Sequence, residues 1–178
     1  MKTILIFCSC LLLMVSCSEE QDFNQVDDLS LQPSLASSLL YFESNEDTMN
    51  AAGTGVFFSE VFTFEAFKEK FIADEVVEGT ITYQIENTTS KSLGLLIEFL
   101  NEADVVLYQE PFAIEPQPTA ALERQVNFGP NGESLEILRN TAKIRISATN
   151  EGDGSSQSTL TDPKLVFKSS ATVVLNVE

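Results

Sequence analysis

The run GTITYQIEN at residues 79–87 sets Ile81, Tyr83 and Ile85 on one side of an extended chain and Thr80, Thr82, Gln84 and Glu86 on the other. Successive side chains of a strand point to opposite faces, so this alternation marks a half-buried β-strand. A polar turn, NTTSKS at 87–92, leads into LGLLIEFL at 93–100, which turns Leu93, Leu95, Ile97 and Phe99 inward. NEAD at 101–104 turns the chain again, into VVLYQEPFAI at 105–114. The spacing predicts a meander of three neighbouring strands, each with a dry and a wet face.

The same period of two recurs on both sides. SLLYFE at 38–43 makes a first short strand. VFFSEVFTF at 56–64 places Phe58, Glu60, Phe62 and Phe64 on one face and Phe57 and Val61 on the other. AFKEKFIADEVV at 66–77 reads as a short helix, because Phe64, Phe67 and Phe71 share one helical face. Beyond a proline-rich link at 115–121, LERQVNF at 122–128 and AKIRISAT at 142–149 are strands. Between them SLEILRN at 134–140 is a short helix with Ser134 as its cap. NEGDGSSQSTLTDP at 150–163 reads as a mobile loop. The closing KLVFKSSATVVLNVE, at 164–178, makes one long strand or two joined at its KSS step. About eight strands with frequent turn signals and one or two short helices predict an all-β antiparallel sandwich over residues 39–178.

The chain has 178 residues, with 27 acidic against 10 basic side chains and a formal charge of −17. No Lys or Arg occurs from Thr3 through Phe67, a stretch holding ten acids. Phosphate binding needs clustered bases, so nucleic acid is not expected as a partner. Histidine is absent, which removes Ser-His-Asp and Cys-His catalysis and the commonest zinc ligand. The glycines form no phosphate-binding loop. No catalytic residue, cofactor or metal site is expected, and the chain does not read as an enzyme.

At the N-terminus Lys2 precedes an apolar run from Ile4 to Val15, about a dozen residues, which is the length of a signal-peptide core and too short to span a bilayer. The run ends LMVSC at 13–17 and resembles a bacterial lipobox. That resemblance implies a signal peptide at 1–16, cleavage before Cys17, and acylation of the Cys17 thiol. Two or three acyl chains anchor stably where one does not. Cleavage would remove Cys8 and Cys10 and acylation would consume Cys17, leaving the mature chain without a free thiol. Residues 17–38 then read as a lipidated acidic tether. SEEQD at 18–22 resembles the acidic signal that sends lipoproteins of the Bacteroidota to the cell exterior. The expected address is the outer membrane, lipid-anchored, with the cell surface favoured over the periplasmic face.

The segment TYQIENTTSKSLGLLIEFLNEADVVL, Thr82 to Leu107, resembles small immunoglobulin-like β-sandwich lipoproteins of Bacteroidota, most of them without assigned function. DFNQVDDLSLQPSLASSLLYF at 22–42 resembles the opening of flavobacterial members. The resemblance implies an immunoglobulin-like sandwich and an envelope address, and brings no catalytic residue. NEAD stands where those proteins carry a glycine turn.

Three further features have chemistry. SNED at 44–47 and NEGDG at 150–154 gather oxygen ligands suited to calcium, without EF-hand spacing. There is no Trp to stack a sugar, and of Tyr41, Tyr83 and Tyr108 the middle one shares a core face with Ile81 and Ile85. DTM at 47–49 resembles the O-glycosylation sequon of Bacteroidota, with Thr48 as acceptor. The leading expectation is a non-catalytic interaction or accessory module of a cell-envelope assembly, held by membrane lipid through Cys17 and contacting an envelope protein. The alternative is a surface lipoprotein that binds a glycan or calcium.

Overall fold

A computed structural model describes residues 31–64, 70–116 and 121–177, with backbone alone at 70–72. The signal segment, Cys17 and the tether up to residue 30 lie outside these residues.

Eight strands are present among the described residues: β1 (Ser34–Asn45), β2 (Gly55–Thr63), β3 (Val76–Asn87), β4 (Leu93–Leu100), β5 (Val106–Ile114), β6 (Leu122–Phe128), β7 (Lys143–Asn150) and β8 (Lys164–Leu175). Three short helices join them: α1 (Glu46–Ala52), α2 (Lys70–Glu75) and α3 (Leu135–Asn140). The first strand starts at Ser34, and Leu31 bridges to Val177. Residues 34–38, expected in the tether, are therefore part of the sandwich. Val76 and Val77, expected in a helix, open β3. The final strand is one piece, paired through the KSS step at 168–170 with both β1 and β3.

The all-β antiparallel sandwich expected from the alternation is what these strands form. One sheet has the order β1-β8-β3-β6 and the other β2-β7-β4-β5. The chain changes sheet at every step except β4 to β5, which is the strand order of a jelly roll. An immunoglobulin domain divides its strands as ABED and CFG. The three-strand meander is accordingly resolved into one hairpin, β4–β5, and a crossing at 87–92 that sends β3 and β4 to opposite sheets. Alternation requires only that one face of each strand be dry. Strands β3 and β4 satisfy it by facing each other across the core instead of lying side by side.

The core lies between the sheets. Ile81, Tyr83 and Ile85 of β3 share one core with Leu95, Ile97 and Phe99 of β4, each no more than 2% exposed. Rings run through it: Tyr83 meets Phe112 edge-on at 5.5 Å, and Phe42 stacks on Phe58 at 4.3 Å, joining β1 to β2 across the sheets. Burial of each such side chain contributes about 1.5–3 kcal/mol.

Helix α1 is capped by Asn45, whose side chain accepts from the Thr48 amide, and it ends at Gly53 with φ of 66°. That left-handed turn is open to glycine without a Cβ penalty. Ser134 caps α3 as its sequence position predicts, accepting from the Glu136 amide. The NEAD turn works without glycine because Asn101 Oδ1 accepts from the amides of Ala103 and Val105, both at 2.9 Å. Asp104 takes the positive φ of 60°, a conformation Asp tolerates better than most residues.

Candidate functional site

The structure brings together the two acidic loops singled out for calcium and the 87–92 crossing. What sits among them is an ammonium. Lys91 is 1% exposed, and its Nζ donates to Asp153 Oδ1 at 2.9 Å and to the Ser156 carbonyl at 2.7 Å. The crossing that carries Lys91 is shaped by Asn87. Its Oδ1 accepts from the Thr89 amide and hydroxyl, while its Nδ2 donates to the carbonyls of Lys91 and Glu115.

The acids of this hub are occupied by internal donors. Glu46, 3% exposed, accepts from the Ser90 amide on one oxygen and from the Ser158 amide on the other. Desolvation acts to raise its carboxyl, and the amides of Ser158 and Ser90 outweigh it, holding Glu46 below the usual range. Asp153 accepts from the Ser156 hydroxyl, the amides of Ser156 and Ser155, and Lys91. Those donors, the Ser156 hydroxyl first, hold its carboxyl far below the usual range. Asn150 completes the hub, donating to the carbonyls of Gly53 and Asp153 at 2.9 Å each.

Loop 150–163, expected to be mobile, is thus stitched to α1 and to the β3–β4 crossing. The positive charge that a calcium ion would bring is supplied by Lys91. Among the described residues no three acidic side chains converge to hold a metal ion.

The other sequence-derived candidates are dispersed. Thr48 is exposed in the first turn of α1, not in a loop, and its hydroxyl donates to Asn45 Oδ1 at 2.8 Å. Tyr83 is in the core, as its parity predicts. Tyr108 is half-buried against Phe99 and Phe128. Tyr41 is the one aromatic ring exposed among the described residues, at 57%. Cys17 lies outside them.

The two long edges of the sandwich differ. Opposite residues of an antiparallel pair share a face. Glu110 of β5 pairs with Ile97, and Arg124 of β6 pairs with Tyr83, so both point toward the core side of their edges. Glu110 is 7% exposed. It accepts from Arg124 Nη1 and from the Tyr108 hydroxyl, and the guanidinium lies 4.3 Å from the Phe112 ring centre. This edge is closed by a cross-sheet ion pair, and Pro111 in β5 also blunts it.

At the other edge Glu60 of β2 pairs with Ile146, a residue with no exposure, so it too has core-side parity. Strand β1, its neighbour across the sandwich, is SLASSLLYFESN and has no base. Glu60 is exposed and has no partner among the described residues. On the same two strands Leu35, Tyr41, Val56 and Val61 are each about half exposed, but Tyr41, which pairs with Lys168, and Val61, which pairs with Arg145, lie on the outer faces and not beside Glu60. The signal was in the sequence as a repeated pattern, an aromatic residue, a spacer, Glu, a spacer and Phe: FSEVF at 58–62 and YQEPF at 108–112.

No family model matches the chain, and no curated protein does. Among solved structures it is similar to the infectious bursal disease virus VP2 subviral particle at 12% identity and a TM-score of 0.39, over 84% of this chain and 34% of that one. It is also similar to desmodium yellow mottle tymovirus, at 7% identity and a TM-score of 0.37, over 84% and 89% of the two chains. An arabinose-bound α-L-arabinofuranosidase matches at 12% identity and 0.38, over 82% of this chain and 23% of that one. The chain thus spans about a third of the length of the VP2 protein. Likeness at this level says nothing about activity.

Proposed function

We propose that the chain is a lipid-anchored outer-membrane protein that serves as a non-catalytic interaction or accessory module of a cell-envelope assembly. Supporting the anchor are the short apolar run ending at Cys17 and the acidic residues that follow it. Supporting the interaction role is one observation above the rest: among the described residues the edge formed by β1 and β2 has no cross-sheet ion pair, while the opposite edge is closed by Arg124 and Glu110. Unprotected edges are templates for pairing with another chain. The hub around Lys91 ties loop 150–163 to α1 and to the β3–β4 crossing.

The anchor is tested by metabolic labelling with an alkynyl palmitate in a bacterium of the Bacteroidota, comparing the native chain with Cys17→Ala. Label in the native chain alone supports the reading. Label retained in the variant, or no label in either, overturns it.

A further inference from the structure

We propose that the free edge of β2 binds an extended segment of a partner protein carrying an arginine or lysine flanked by apolar residues two positions away on each side. This rests on the reading of the chain as an interaction module and names the chemistry of what it takes.

The closed edge supplies the template. There a core-side glutamate, Glu110, lies between Tyr108 and Phe112, and an arginine from the neighbouring sheet pairs with it while covering the Phe112 ring. At the open edge Glu60 lies between Phe58 and Phe62 at the same spacing and with the same parity. Phe58 and Phe62 remain half-buried, and Glu60 has no base beside it among the described residues. A strand added to β2 would set one residue directly opposite Glu60, on the same face, with its neighbours two positions away beside Phe58 and Phe62. An arginine there would meet Glu60 from within the same sheet, where Arg124 reaches Glu110 from the facing one, and apolar neighbours would lie beside the parts of the two rings that Phe42 leaves exposed. Main-chain bonds along Phe58–Thr63, past the bulge at Val56, would supply affinity, and side chains in alternation would supply choice.

Glu60 also says which strands are refused. An inward-pointing charge on an edge strand opposes pairing with an apolar edge. A second copy docked edge to edge would bring glutamates together in a chain that already has a charge of −17. One carboxylate therefore excludes self-pairing and selects a basic partner.

The probe is a synthetic nine-residue peptide of alternating valine and threonine whose central valine is replaced by arginine, and a second with glutamate at that position. Binding to the full chain is measured by titration, with amide exchange of Ser59–Val61 read in parallel. The expected result is that the arginine peptide binds about tenfold or more tighter, about 1.4 kcal/mol, and slows exchange at those amides. In Glu60→Lys the preference reverses, and in Glu60→Gln it disappears. Arginine preference that survives both variants, slowed exchange along β1 instead, dimerisation of the chain through this edge, or no binding would overturn the proposal. Palmitate labelling is independent of this edge, so loss of the anchor and loss of the peptide are separable failures.

Discussion

The Nζ of Lys91 and the Oδ1 of Asp153 are 2.9 Å apart, with the lysine almost wholly enclosed and the aspartate half exposed. The pair joins the β3–β4 crossing to the loop before β8. Because the two ends differ in burial, their removal has unequal consequences. Asp153→Ala leaves an enclosed ammonium without its counter-charge and frees the Ser155 and Ser156 amides, and an enclosed charge left without its partner is strongly destabilising. Lys91→Met leaves a half-exposed carboxylate and the Ser156 carbonyl without that donor, and costs about 1–3 kcal/mol. Urea denaturation of the two variants should show the aspartate variant as the less stable. The opposite order would mean that the hub is not organised around the ammonium.

If Lys91 stands in for a cation, the native protein should gain nothing from calcium. Its melting temperature is expected to be the same in excess EDTA and in millimolar Ca²⁺. A clear upward shift with calcium would show an ion binding where the lysine geometry leaves no acidic cluster.

Acid should loosen the hub. The folded pKa values of Glu46 and Asp153 are depressed, so the unfolded chain binds protons first as pH falls. Their contribution is fully present above the ordinary carboxylate range, near pH 4.5 for glutamate. It is lost as pH drops through the folded values. Thermal melts between pH 7 and pH 3 should be flat at the upper end and fall below about pH 4.5. Glu46→Gln should lower stability at pH 7 and flatten the acid limb. An acid limb unchanged by that substitution would exclude Glu46 from the effect.

Tyr83 buries its hydroxyl without a hydrogen-bond partner among the described residues, and burial drives that phenol well above its ordinary pKa. Tyr83→Phe removes an unsatisfied polar atom and keeps the ring against Phe112 and Phe167. The variant should be as stable as the native chain or more stable by up to about 1 kcal/mol. A loss of similar size would point to a hydrogen bond at that hydroxyl.

The alternation in 79–87 and 93–100 made the sandwich and its core legible, because burial of every second residue is a local property. Tyr83, Ile97 and Phe99 could be assigned to the interior from parity alone. Which strand lies beside which is not local. Strands β3 and β4 look the same in sequence whether they share a sheet or face each other, and only the tertiary arrangement separates meander from jelly roll. The hub was half legible: the acidic loops at 44–47 and 150–154 stood out, but Lys91 read as part of a polar turn. Its burial depends on Asn87 and on a loop more than sixty residues away. The alternation puts Glu60 on a face with Phe58 and Phe62, but only the tertiary arrangement shows that Glu110 has a base across the sandwich and that Glu60 has none among the described residues.

Site-specific photo-crosslinking in intact cells compares the two edges. A photoreactive residue replaces Val61, exposed on β2, or Gln125, exposed on β6. A discrete crosslinked partner is expected from position 61, lost in Glu60→Lys, and none from position 125. Equal adducts from both positions, or adducts from 125 alone, would contradict this.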